Sequence, residues 1–181
     1  MSKEKLKSFL DQDHTKFKLL LKEAVINHIT ELTAANNDLY GYAIQLGESY
    51  DEMQPVGLYN RESDLSNPID SYRLSPDEWR GWEADPFELV SAEIESLNEQ
   101  FQAVHENERD DFEFDEDEIQ YIKKFHSDTL SVLKELKDEG FFNSLQDSII
   151  LIWLTDSDYE LKEKSVALLN STEIHTRFIN Q

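Results

Sequence analysis

Apolar residues recur at the spacing of one helix face in three long stretches of the chain. The first stretch begins after Asp13, a residue type common at helix N-caps, and ends near Asn36. The second follows Asp85-Pro86, and the third begins after the acidic residues 106–118 and stops at Gly140. We predict an amphipathic helix for each stretch, with stripes that include Phe17, Leu21, Val25 and Ile29, then Val90, Ile94, Leu97 and Phe101, then Ile122, Phe125, Leu133 and Leu136.

Three shorter segments have the patterns of β-strands. In residues 39–46, Tyr40, Tyr42, Ile44 and Leu46 alternate with smaller residues, so we predict a strand whose small face admits a closely packed helix. Residues 56–60 follow a short polar turn and predict an antiparallel hairpin partner. The continuous apolar run 149–154 is typical of a central strand covered on both faces.

The remaining signals indicate shorter helices. Ser75-Pro76-Asp77-Glu78 has an N-cap serine, a proline and a glutamate in the order of a helix start, which predicts a short helix with Trp79 and Trp82 on one face. Ser157 with Glu160 predicts a further helix start, and residues 172–181 a final turn or two. Without repeats or linkers, we expect residues 1–181 to form a single α+β domain, a small, mainly antiparallel sheet flanked by amphipathic helices.

The acidic residues are concentrated in the middle of the chain. Its 181 residues include 39 Asp and Glu against 17 Lys and Arg, a formal net charge of −22 at pH 7. Residues 23–122 contain 26 acidic and 4 basic residues, so this stretch carries the whole imbalance. Because such a surface repels polyanions, we expect no nucleic-acid partner.

The residue types present exclude several kinds of site. The chain has no cysteine, so disulfides, thiolate metal sites and cysteine nucleophiles are absent, and its isolated glycines form no phosphate-binding loop. Its histidines lack the spacing of zinc-protease or di-iron sites, and His28 and His126 lie on or beside apolar stripes, as core histidines do. We therefore predict no catalytic residue, no metal site and no cofactor.

The charged N-terminus lacks an apolar segment, and the longest apolar run is too short to cross a bilayer, so we expect a cytoplasmic protein without a membrane partner.

The acidic connector 106–118 and Trp82 are the candidate partner-binding features. The acidic run is either a solvated connector between two helices or a docking strip for a basic partner, and Phe112 and Phe114 within it favour contact with something apolar. Trp79 is expected to lie in the core, whereas an exposed Trp82 would be an interface anchor. The candidate residues are Glu106, Glu108, Asp110, Asp111, Glu113, Asp115, Glu116, Asp117, Glu118 and Trp82.

Four segments together carry a family resemblance: residues 39–43, the segment 74–79, the apolar run 149–154 with Asp156, and Ser165-Val166-Ala167-Leu168-Leu169-Asn170. In their order and spacing these segments resemble the bacterial domain-of-unknown-function family 4303. The resemblance implies an intracellular protein associated with toxin and immunity loci, and it brings no catalytic residues.

Together these observations favour a cytoplasmic immunity protein that binds and neutralises a cognate, basic, nucleic-acid-targeting toxin. A general acidic interaction module without a toxin partner is the alternative, and a carboxylate-dependent or metal-assisted enzyme is a third. The sequence leaves the oligomeric state open.

Overall fold

The chain folds into helices packed on both faces of a four-stranded sheet. The computed structural model describes residues 2–35, 38–65, 73–105, 114–145, 148–154 and 160–180. The helices are α1 Ser2–Leu10, α2 Thr15–Ala35, α3 Glu88–Val104, α4 Glu116–Asp138, α5 Leu161–Leu169 and α6 Thr172–Ile179. The strands are β1 Leu39–Gln45, β2 Val56–Arg61, β3 Gly81–Glu83 and β4 Ile149–Trp153.

The sheet has the strand order β3-β2-β1-β4. β1 pairs antiparallel with β2, and β2 pairs antiparallel with β3, which confirms the hairpin predicted from the sequence. β4 pairs parallel with β1 and lies at an edge of the described sheet, so the prediction of a central position for this strand is wrong. β4 is nevertheless buried along its whole length, because helices cover both of its faces. Its apolar run correctly indicated burial. The same pattern occurs in a central strand and in an edge strand covered by helices, so the sequence alone does not distinguish the two positions.

The two faces of the sheet support clusters of different size. Helices α1 to α4 pack on one face and form the main core, around Tyr42, Ile44, Ile150 and Ile152 of the sheet. The other face carries a smaller cluster of buried residues: Ala43, Leu58, Leu74, Trp79, Ile149, Leu151, Trp153 and Val166. A single α+β domain, mostly antiparallel in its sheet, is therefore confirmed.

A bulge at Tyr40 changes the expected alternation of β1. Leu39 lies opposite Arg61 and Gly41 lies opposite Asn60, so Tyr40 is an extra residue in its strand. The Tyr40 ring packs against Trp79, with ring centroids 6.4 Å apart, and not beside Tyr42 as predicted. The indole of Trp79 also fills the space next to Gly41, where a Cβ atom would lie 2.5 Å from Trp79 Cζ2. The small face of β1 therefore receives this indole at the position where we expected a helix.

Side chains from α5 and its C-terminal end cap the outer edge of β4. The Asn170 side chain accepts a hydrogen bond from the Ile150 N–H at 2.8 Å and donates one to the Ile150 carbonyl at 2.6 Å. The Ser165 hydroxyl accepts a hydrogen bond from the Ile152 N–H at 3.0 Å. These side chains replace a neighbouring strand and satisfy backbone groups that would otherwise template further pairing.

Several helix boundaries differ from the sequence prediction. α1 was not predicted, and α2 begins at Thr15, two residues after Asp13, whose carboxylate pairs with Lys18 at 2.5 Å. The third long helix, α4, does end as expected, since Gly140 adopts a left-handed conformation with φ of 78°. Its start at Glu116 places Glu116 to Glu118 in the first turn of a helix and outside the connector. The predicted start at Ser157 lies outside the described residues.

Within the part of the chain that the structure describes, no helix is both long and apolar enough to cross a membrane.

Replacing Asn170 with Ala should lower the free energy of unfolding by about 2–3 kcal/mol, because two backbone groups of Ile150 lose their partners. Urea denaturation followed by circular dichroism measures this change. The matched control is Asn180→Ala, which removes an exposed hydrogen bond to the Thr176 carbonyl and should cost less than about 0.5 kcal/mol. Equal effects of the two substitutions would show that edge capping is not the source of the stability.

Candidate functional site

Two adjacent recesses lie at the carboxyl ends of β1 and β4. Because these strands are parallel, their carboxyl ends lie on the same side of the sheet. There the Leu46 N–H donates a hydrogen bond to the Trp153 carbonyl at 3.1 Å. The first recess, here called the acidic groove, has a volume of about 520 Å³ and is lined by residues 45–49, Glu52, Gln54, Val56, Trp82 and Phe114. The second, the apolar pocket, has a volume of about 140 Å³ and is lined by Glu48, Phe114, Ile119, Ile122, Lys123, His126 and Leu154.

The two recesses share Glu48 and Phe114 and form one continuous surface, which we call the docking surface. Trp82 is 62% exposed, Phe114 is 42% exposed and Ile119 is 39% exposed. Each belongs to a different part of the chain: Trp82 to β3, Phe114 to the segment before α4, and Ile119 to the first turns of α4. The docking surface therefore combines three exposed apolar side chains that only the folded chain brings together.

The two tryptophans that sequence placed on one helix face are separated in the structure. The segment Pro76–Glu78 forms a single 3-10 turn, after which the chain becomes extended at Trp79. Trp79 is buried and donates from Nε1 to the Arg73 carbonyl at 3.3 Å, as expected of a core residue. Trp82 lies in β3 opposite Leu58 and projects into the acidic groove. The prediction of a shared helical face is wrong because too few helical residues follow the proline.

A partly buried polar network holds β3, and with it Trp82, against the core. The Tyr59 hydroxyl donates to Glu83 Oε1 at 2.6 Å, and His28 Nε2 lies 3.5 Å from Glu83 Oε2. The Glu83 carboxylate, together with burial, raises the pKa of Tyr59 to about 12. His28 Nδ1 lies 3.1 Å from the Tyr42 hydroxyl of β1, so the network connects β3 to the centre of the sheet.

His126 forms part of the floor of the apolar pocket. Its Nε2 donates to the Gly47 carbonyl at 3.1 Å, which connects α4 to the loop after β1. Burial lowers the pKa of both His126 and His28. The sequence prediction of core or boundary positions for these two histidines is confirmed by their burial.

The described residues of the acidic run have different local roles. Asp115 is the N-cap of α4: its side chain accepts hydrogen bonds from the backbone N–H groups of Asp117 and Glu118, and the Glu118 carboxylate accepts one from the Asp115 N–H. This capping box stabilises the positive end of the helix dipole. Glu116 is exposed, whereas Glu118 is buried. The other candidate residues, Glu106, Glu108, Asp110, Asp111 and Glu113, lie outside the described residues.

His105 and Asp115 join the end of α3 to the start of α4. His105 Nε2 lies 2.8 Å from Asp115 Oδ2, and the His105 ring stacks on Phe101 with centroids 4.7 Å apart. Partial burial of Asp115 opposes ionisation, but the backbone N–H of Glu118 and the His105 ring outweigh it and keep the pKa of Asp115 below its usual range. Helix periodicity does not predict this pair, because its members cap two different helices.

Together with Asp117, these two residues offer three potential ligand atoms that lie within 4.8 Å of one another. A nitrogen and carboxylate oxygens at this separation could hold a divalent cation. Both carboxylate oxygens of Asp115 already have partners among the described residues. One accepts from the backbone at the helix cap and the other contacts His105, so a cation would compete with these contacts.

The electrostatic character of the docking surface is acidic. Among the described residues, several basic side chains pair with carboxylates outside the two recesses, as Lys22 does with Glu135 at 2.8 Å and Arg73 with Glu62. The ion pairs found among those residues do not include Glu48 or Glu52 of the acidic groove. Lys123, at the rim of the apolar pocket, is the basic residue among those that line the two recesses.

The chain belongs to the family described as Domain of unknown function (DUF4303), whose family model matches residues 21–171. This match confirms the family resemblance seen in the sequence. All residues that line the docking surface fall within the matched stretch. No curated protein and no solved structure matches the chain.

Stability should decrease as the pH falls from 7.5 to 5.5. Burial lowers the pKa of His28 and His126 from the ordinary value of 6.5, so below that pH the unfolded chain binds protons that the folded chain does not. Each histidine should contribute to this loss, because burial favours its neutral form in the folded chain. Urea denaturation at several pH values measures the slope. His126→Gln keeps a donor for the Gly47 carbonyl and removes one titrating group, so its slope should be smaller; an unchanged slope would contradict this assignment.

Proposed function

We propose that this protein is a protein-binding domain that neutralises a basic partner protein by forming a stoichiometric complex with it. The observation that carries the proposal is the position of Trp82 and Phe114, two exposed aromatic residues from distant parts of the chain, in one acidic groove. Exposed apolar surface with a polar rim is typical of protein interaction sites. A tryptophan at the centre of such a site commonly supplies much of the binding energy.

Charge supports a basic partner. Glu48 and Glu52 line the acidic groove, and the exposed Glu116 follows Phe114 two residues later. With a net charge of −22, the protein attracts a basic protein at long range and accelerates encounter, particularly at low ionic strength. The same charge opposes binding of nucleic acid.

The finer proposal is an immunity protein of the bacterial cytoplasm whose partner is a cognate toxin that acts on nucleic acid. It rests on the toxin and immunity loci that the family resemblance implies, because proteins that act on nucleic acid carry basic surfaces. Under this proposal the docking surface covers a basic surface of the toxin and keeps its substrate away. The protein then acts by binding, without catalytic residues of its own.

A metal-assisted enzyme is the second candidate, and the cluster of His105, Asp115 and Asp117 is the observation that favours it. Calorimetric titration with Zn²⁺ and with Mn²⁺ separates the two candidates. Tight binding at one ion per chain, lost in His105→Ala, would favour the enzyme. Weak binding that is abolished by salt would favour the protein-binding domain.

Substitution of both aromatic residues of the acidic groove tests the proposal. The tagged wild-type protein is used to capture its partner from the native lysate, and the partner is then identified and purified. The double variant Trp82→Ala/Phe114→Ala should bind that partner at least 100-fold more weakly, because interface aromatics contribute about 2 kcal/mol or more each. Biolayer interferometry measures the affinity, and raising the salt should slow association.

The matched control is the double variant Leu19→Ala/Leu89→Ala, which removes two side chains that are 63% and 70% exposed on α2 and α3 and line neither recess. Its affinity should stay within a factor of two of the wild type. A partner that is acidic, or one that both double variants bind equally, would overturn the proposal. For the finer proposal, the partner expressed alone must be toxic, and co-expression of this protein must abolish the toxicity.

A further inference from the structure

The apolar pocket is the part of the docking surface with the most defined shape. Its floor consists of Leu154, Ile122 and His126, which are 0%, 6% and 4% exposed. Phe114 and Ile119 form raised walls. The recess is therefore open to solvent although its floor belongs to the main core.

The size of this pocket matches one side chain. Its volume is about 140 Å³, and an apolar cavity of about 150 Å³ accommodates a molecule of benzene. Water in such a recess finds few polar partners, so its replacement by an apolar group is favourable. An aliphatic or aromatic side chain of ordinary size fills the available volume.

Charge at the rim defines what flanks that side chain. Glu48 stands on the side shared with the acidic groove, whereas Lys123 stands elsewhere on the rim. A chain that leaves the pocket along the shared side therefore meets Glu48 first and then Glu52, with Trp82 lining the same groove. Lys or Arg residues suit this direction because they pair with the carboxylates and can stack on the indole.

From these observations we propose that the apolar pocket binds one aliphatic or aromatic side chain of a basic partner segment, with the neighbouring Lys or Arg residues lying in the acidic groove. The inference rests on the proposed function and specifies the class of sequence that the docking surface recognises. A second copy of this chain is a poorer occupant, since it carries the same net charge of −22 and would be repelled.

Selection of peptides from a random twelve-residue phage-displayed library on the full-length protein tests this inference. The selected sequences should share one Leu, Ile, Met or Phe with Lys or Arg next to it. A synthetic peptide with a selected sequence, followed by fluorescence anisotropy, should bind Ile119→Asp at least tenfold more weakly than the wild type. Because the added carboxylate attracts a basic peptide, weaker binding reports the lost apolar wall and not a change in charge.

The matched control is Gln120→Asp, which introduces the same charge on the adjacent exposed residue. Gln120 lines a different recess, shared with Leu6 and Leu10 of α1, so this variant should bind the peptide within a factor of two of the wild type. Ile119→Ala, a milder change at a residue already 39% exposed, should weaken binding about fivefold and guards against a folding defect in the aspartate variant.

The outcomes distinguish failure of this inference from failure of the proposed function. One outcome would overturn the pocket assignment and leave the protein-binding function intact. In that outcome the selected peptides are basic but share no apolar residue. The wild type and Ile119→Asp bind them with equal affinity, whereas Trp82→Ala binds them more weakly. The inference and the proposed function would both be overturned if the selected peptides had no excess of Lys and Arg and if the Trp82→Ala/Phe114→Ala variant bound them as tightly as the wild type does.

Discussion

The parallel pairing of β4 with β1 is the contact on which the rest of the structure depends. It places Leu46 and Leu154 side by side at the carboxyl ends of the two strands, and both recesses of the docking surface open there. The carboxyl ends of adjacent parallel strands are a common place for binding sites, because the loops that follow them diverge and leave a crevice. The capping of β4 by Asn170 and Ser165 makes this arrangement possible, since an uncapped edge would leave buried backbone groups without partners.

The molecule separates its stabilising contacts from its charge. Buried aromatic and aliphatic side chains around α2 and the sheet provide the main core, and the described basic residues pair mainly on the faces formed by the helices. The docking surface keeps Glu48 and Glu52 beside exposed Trp82 and Phe114. Concentrated negative charge raises the free energy of the compact state through self-repulsion, and a basic partner would relieve it. Under the proposed function, stability and partner binding are therefore coupled through the same acidic residues.

Residue patterns along the chain predicted which helices and strands form more accurately than they predicted what packs against each of them. The stripes of α3 and α4, the hairpin of β1 and β2, and the left-handed Gly140 follow from local spacing and local conformational preference. The edge position of β4 did not follow, because complete burial has the same pattern in an edge strand that helices cover. The bulge at Tyr40 depends on the Trp79 ring that packs against it, and the single turn at Pro76 ends because the chain becomes extended at Trp79.

The sequence by itself determined the α+β class, the family, the strongly acidic middle of the chain and the burial of His28 and His126. These properties depend on composition or on the spacing of residues along the chain, so they can be predicted without knowing which residues are neighbours in space. Only the tertiary structure decided that Trp82 is exposed, that Phe114 lies in the same groove and that Ile119, Ile122 and Leu154 enclose a pocket. Each of these pairings joins residues from different elements, and their distances depend on how the helices and strands pack together.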